Sequence, residues 1–269
     1  MTSEASNIAG KSAEEASSLG QGDSSSDLER SAAAHEGVFN YGFSQGGIAS
    51  DERIALGRSS LNRRLIRVQR DVLKMGALVE NSCLLAKEAL CNRDLEAAKK
   101  IPIQDKQIDM LYRQIEVDCT NLLSLEAPVT QDLRLVSAFM QMVRDLERIG
   151  DYNKSIGSAA IKLFPHPVHE CMGEIGTMLD RSRSMVALCL RSLSELDPDA
   201  GRNIKLKDDL VDDDYERLYN RLVNTQCTTG ESVEPIVLMV LIIRSLERIA
   251  DHATNVGKRV SYVVTGERT

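Results

Sequence analysis

From about Leu61 onward, apolar residues recur at steps of three and four: Leu65, Val68, Val72, Met75 and Val79, then Leu84–Leu85. Side chains so spaced share one face of a helix with 3.6 residues per turn, the pattern of an amphipathic helix buried on one side. Asn92-Arg93-Asp94 interrupts it. Ile103, Ile108, Leu111, Ile115, Leu122 and Leu125 mark a second helix that closes at Ala127-Pro128. A third runs from near Thr130 to Leu163 and stops before Pro165 and Pro167. Three more helices follow in the same order. They cover roughly 168–196, about 203–226 and about 232–264, with breaks at Asp197-Pro198 and Thr228-Thr229-Gly230.

The letters repeat as well as the pattern. LERIGD at 146–151 and LERIAD at 246–251 stand one hundred residues apart and differ at one position. One helix earlier, D-K-Q-I-D at Asp105–Asp109 aligns with D-D-L-V-D at Asp208–Asp212, and Tyr112 then falls on Tyr215. Repetition of a whole supersecondary unit, present twice only, predicts duplicated bundles and not a solenoid. The expected fold is all-α, with two pseudo-symmetric three-helix bundles at 57–164 and 168–265.

Composition changes this picture mainly at the N-terminus. Residues 1–56 are rich in Ser, Gly, Ala and acid, without aliphatic periodicity, and are expected to be a disordered tail. Phe39, Tyr41 and Phe43 alternate within it, either as a short docking motif or as part of a tether without a specific partner, the reading preferred here. The chain carries a net charge of −7, of which −6 lies in residues 1–53 (nine acidic against three basic residues). Neither part has the basic footprint of a nucleic-acid binder. Aromatics are scarce, at 4%, and Trp is absent, which favours helices over sheets. The longest apolar run, Ile236–Ile243, ends at Arg244, far short of the ~20 residues a membrane span needs, and no signal-peptide pattern opens the chain. The six cysteines lie singly, with no Cys-x-x-Cys, as expected of free thiols in a reducing, cytoplasmic setting. His166 and His169 in FPHPVHEC could hold a metal, but a proline-interrupted connection accounts for them more simply.

The candidate chemistry lies in the carboxylates. Residues four apart share a helix face, so Glu147 neighbours Asp151 and Glu247 neighbours Asp251, as Asp105 neighbours Asp109 and Asp208 neighbours Asp212. In an up-down bundle the second and third helices run antiparallel, and their acid pairs can meet. Four carboxylates at one interface need a cation. An all-oxygen set suits Mg, Ca, Mn or non-haem Fe, and the lack of paired His or Cys disfavours an ordinary zinc site. The competing reading is a solvated ion-pair ladder, because Arg144, Arg148, Arg244 and Arg248 each stand three residues before an acid. Duplication of both acid pairs favours the metal.

The D-x-x-I/V-D element, followed by APVTQDLRLVSAFMQMVRDLERIGDYNKSIG and RSLERIADHATNVGKRV, resembles the PhoU family of phosphate-uptake regulators over roughly residues 65–264. The resemblance implies a non-enzymatic role: repressing phosphate-starvation signalling through a phosphate-sensing histidine kinase and restraining the ATPase subunit of a phosphate ABC transporter. It also implies a homodimer that meets the membrane only through its partners, and multinuclear metal sites. Iron comes first among the metals, then zinc, nickel, manganese or magnesium. The match puts one metal site on Asp105, Asp109, Glu147 and Asp151, and the other on Asp208, Asp212, Glu247 and Asp251. After the second signature stand the family's usual His252 and Asn255. After the first, Tyr152 and Ser155 take those places, and the Asp208–Asp214 acids leave the register open by one residue.

Two alternatives remain. One is a helical scaffold for another transporter, its acids paired and no metal bound. The other is a di-metal carboxylate enzyme, disfavoured because helical sites of that kind use a Glu-x-x-His element and neither signature supplies one. There is no nucleophile–base pair and no glycine-rich phosphate loop.

Overall fold

The computed structural model describes residues 51–225 and 232–267, with side chains from Ser59 onward. It contains six helices: α1 Asp51–Cys91, α2 Leu95–Glu126, α3 Thr130–Leu163, α4 Met172–Glu195, α5 Ala200–Val223 and α6 Glu234–Thr265. No strand occurs among the described residues. Most of the tail, with Phe39, Tyr41 and Phe43, lies outside the described residues, as do Cys227 and the Thr228-Thr229-Gly230 break. Residues 51–56, grouped with the tail by composition, instead form the first turns of α1.

The helix ends have local causes. Asp94 caps α2, its Oδ1 accepting from the backbone N–H groups of Glu96 at 2.8 Å and Ala97 at 3.1 Å. Ala127 leaves α2 in the left-handed region (φ 42°) just before Pro128, and Leu196 closes α4 likewise (φ 52°) before Asp197-Pro198. Gly266 ends α6 at φ 78°, the conformation a glycine adopts without strain. In the α3–α4 connection, His169 Nδ1 accepts the Cys171 backbone N–H, and His166 lies 3.9 Å from Glu234, so these histidines serve the turn.

Leu65, Val68, Val72, Met75 and Val79 are all buried, as their spacing requires. On α2 the periodic set needs one correction. Ile108, Ile115 and Leu122 are buried with Ile101 and Cys119, but Ile103 and Leu125 are exposed. Ile103 is two residues from both Ile101 and Asp105, and on a helix that places it on the opposite side. Each fully buried Ile, Leu, Met or Phe contributes roughly 1.5–3 kcal/mol of transfer free energy.

α3 packs on α6, while α2 packs on α3 and α5 on α6. α1 meets α4 through Leu190 against Gly76, Arg183 on Glu80 and Lys87 on Asp180. The central helices α1, α3, α4 and α6 thus carry α2 and α5 on their outer sides, in two bundles related by a pseudo-two-fold. Two glycines bring the outer helices in. A Cβ on Gly157 would come 2.6 Å from Ile101 Cδ1, and one on Gly257 would come 2.4 Å from Ile204 Cδ1. Asp105 and Asp208 stand one helical turn beyond those isoleucines, so each close contact presses an acid against α3 or α6.

Candidate functional site: two clusters of helical carboxylates

Within each LERI-x-D signature the leucine and isoleucine are core residues, the arginine is exposed, and the glutamate and aspartate are half-buried. The acids therefore sit at the rim of the core, where α2 crosses α3 and α5 crosses α6. Asp105 and Asp208 are buried outright, and Asp109 and Asp212 lie half-buried beside them. Asp209 and Asp213 point to solvent, and the acids spaced by four that face inward are Asp208 and Asp212.

The charges interact across helices. Glu147 is pushed above the usual carboxylate range by burial first, then by Asp151 and, from α2, by Asp109 and Asp105; Arg148 opposes the shift. Glu247 is likewise raised by burial, with Asp251 and Asp212 adding to it against Arg244 and Arg248. Asp212 is raised by burial, then by Asp208, with Asp251 and Asp209 also adding and Lys205 opposing. All eight carboxylates named from the sequence thus belong to two four-acid groups.

Cations from the chain balance them. In the first group Lys154 Nζ donates to Asp105 Oδ2, and Arg148 spans Glu147 at 3.6 Å and Asp151 at 3.5 Å. In the second, Lys205 Nζ reaches Asp208 at 2.9 Å, Asp209 at 3.0 Å and Asp212 at 4.0 Å. Arg244 holds Glu247 at 2.6 Å, and Arg248 lies 3.6 Å from Asp251. The arginine ladder and the acid clusters are therefore one arrangement. Lys205 was legible, because it stands three, four and seven residues before its partners on one helix. Lys154 was not, because its partner lies on another helix.

Asp208 Oδ1 and Glu247 Oε2 are buried without a hydrogen-bond partner. A buried carboxylate oxygen without a hydrogen bond is costly, though Arg248 Nε stands 4.0 Å from Glu247 Oε2, and an all-oxygen set with two such atoms fits a hard divalent cation. Among the described residues no three His, Cys, Asp or Glu side chains already converge as a ligand set. The donor chemistry of the second group fits a metal, and its side chains would have to turn from those cations to bind one.

His252 does not join the acids. Its Nδ1 lies 2.9 Å from Asp145 Oδ1 on α3, and its ring lies 5.9 Å from that of Tyr152, its pseudo-symmetric counterpart. Any advantage of the second group rests on its buried oxygens without hydrogen bonds.

The PhoU domain model matches this chain twice, over residues 72–160 and 175–260, once per bundle. The chain belongs to the PhoU family. A relative from Synechocystis sp., named as a homolog of the phosphate-specific transport system accessory protein PhoU, is 53% identical over 211 residues, covering 78% of this chain and 94% of the relative. Two crystal structures share the fold at 30% identity. The PhoU regulatory protein of the phosphate transport system from Streptococcus pneumoniae gives a TM-score of 0.72 over 78% of this chain and 99% of that one. PhoU from Pseudomonas aeruginosa gives 0.74 over 77% and 99%. These PhoU proteins are named for accessory and regulatory roles, not for a reaction.

Proposed function

We propose that this chain restrains phosphate uptake and silences the phosphate-starvation response as a cytoplasmic adaptor. In this reading it contacts the ATPase subunit of a phosphate ABC transporter and a phosphate-sensing histidine kinase, and it works as a homodimer of two-bundle chains with domains at 57–164 and 168–265. Family membership over both bundles is the observation that carries the reading. No described helix is long and apolar enough to cross a membrane, which suits action through membrane partners. Deleting the gene should leave phosphate-responsive genes switched on at high phosphate, and restoring it should silence them. If those genes stay off at high phosphate in the deletion strain, the proposal fails.

The metal belongs to the same proposal. Asp208, Asp212, Glu247 and Asp251, and by symmetry Asp105, Asp109, Glu147 and Asp151, would hold iron, manganese or magnesium, with zinc and nickel less suited to oxygen ligands. A bound cation would replace Lys205 and the arginines as counter-charge and set how tightly α5 lies on α6. The scaffold reading without metal is favoured by one observation: the chain's own cations already balance the acids. Elemental analysis of gently purified protein separates the two, since one or more metal equivalents support the metal reading. Less than one equivalent, with stability unchanged by chelator, supports the scaffold.

A further inference from the structure

Helices α3 and α6 run antiparallel across the pseudo-two-fold, which passes near Tyr152 and His252, equivalent residues whose rings lie 5.9 Å apart. The seam between them therefore has two halves that symmetry would make alike, yet they differ. In the half built from the start of α3 and the end of α6, Asp145 accepts from Arg259 Nε at 3.4 Å and is bonded to His252. Arg259 also donates to Gln141. These four side chains close that half.

One hundred residues away in numbering, Ser245 stands for Asp145 and Leu241 for Gln141. Tyr152 stands for His252, and Ala159 for Arg259. Neither the guanidinium nor its carboxylate is present, and the other half is an open groove of about 720 Å³. Four cations line it (Arg148, Lys154, Lys162 and Arg244) against one carboxylate, Asp151. Tyr152, Ser155 and Ser158 line the same space, the two serine hydroxyls donating to the Asp151 and Lys154 carbonyls, and Leu238 and Ile242 form an apolar wall with the exposed Leu241.

We infer that this groove, which adjoins the carboxylate clusters and shares Asp151 and their counter-ions, binds an elongated organic anion bearing several phosphoryl groups. Its volume lies within the roughly 300–1,000 Å³ usual for small-molecule sites. From Arg148 to Lys162 the wall of α3 runs about 21 Å at ~1.5 Å per residue, which suits several charges in a row and not one. Arginine forks and lysine ammonium groups are the usual partners of phosphoryl oxygens, and the leucine–isoleucine wall offers a place for a base or other organic part. Three of the four cations are already the counter-ions of Asp105, Asp151 and Glu247, and they remain nearly half exposed, so a polyanion can recruit them without desolvating fresh charge.

The test is calorimetric titration of the metal-free full chain with ATP in EDTA at physiological salt, which keeps the carboxylate sites out of the measurement. One molecule should bind per chain, with a Kd on the order of 10 μM. Ser245→Asp combined with Ala159→Arg rebuilds the closing pair and should weaken binding at least tenfold. Leu241→Glu, at an exposed position that leaves the core untouched, should do the same by charge. Arg259→Ala on the closed half should leave ATP affinity as it was. Inorganic tripolyphosphate should bind more weakly than ATP; equal affinity overturns the role given to the apolar wall. The inference fails if ATP does not saturate at millimolar concentration, or if both groove variants keep native helix content and undiminished affinity. It also fails if a poly-glutamate peptide binds this groove more tightly than ATP, which would make it a docking site for an acidic protein segment.

Discussion

Lys205 joins three aspartates of α5 through one ammonium group, and on the proposed metal reading it competes with the cation for Asp208. Because Lys205 is half exposed, its contribution to stability is modest, about 1 kcal/mol after solvent screening. Lys205→Met should lower the melting temperature of metal-free protein by a few degrees and raise Mn2+ affinity several-fold, since the competing charge is gone. Thermal unfolding with and without MnCl2 checks both; a fall in Mn2+ affinity would show that Lys205 shapes the site instead of competing for it. The same acids set a pH dependence. Glu147, Asp212 and Glu247 have folded-state pKa values above their unfolded ones, so between those values the folded chain holds more protons than the unfolded chain. Stability of metal-free protein should therefore fall as pH rises from the ordinary carboxylate range toward neutrality, and a bound divalent cation should flatten the slope. Denaturant midpoints at pH 5 and pH 7, with and without metal, test this.

At the scale of elements, the glycines of α3 and α6 decide how near the acid-bearing helices come. Gly257 admits the Ile204 side chain, and the Ala200 carbonyl lies 3.4 Å from where a Cβ would stand. Gly257→Leu should push α5 off α6, lower stability by about 1–3 kcal/mol and weaken cation binding at Asp208 and Glu247 together. Adding Ile204→Ala should recover part of the stability by making room. A variant that loses stability while cation affinity stays intact would separate helix approach from site geometry.

For the whole molecule, Asp145, His252 and Arg259 tie the first bundle to the second across the α3–α6 seam. Asp145 is almost fully buried, and removing it deprives His252 Nδ1 and Arg259 Nε of their acceptor, while Arg259 keeps Gln141. Asp145→Ala should cost roughly 3 kcal/mol, more than an exposed pair would. The two bundles should then lose their common transition by calorimetry, with the second melting first; a single cooperative transition at reduced midpoint would mean that the apolar seam alone couples them. Cys83, Cys119 and Cys189 need no functional reading at this scale, since burial raises all three thiols, the first two to about 12.

Helix count, order and approximate limits were decided by local sequence: the 3.6-residue apolar period, the proline and asparagine–aspartate breaks, and the duplicated signature act within one segment or between its two copies. So was the identity of the eight acids, because spacing by four puts them on one face. Three matters required the tertiary structure. Exposure of Ile103 and Leu125 follows from which side of α2 meets α3, and Leu125, three residues beyond buried Leu122, keeps the helical period and so does not reveal it. The pairing of Lys154 with Asp105 and the turning of His252 to Asp145 join residues from different helices, whose distances depend on crossing geometry and not on sequence separation. The difference between the two halves of the α3–α6 seam was written in the letters all along, as Ser245, Tyr152, Leu241 and Ala159. It became a groove only once the fold set those residues opposite the four that close its twin.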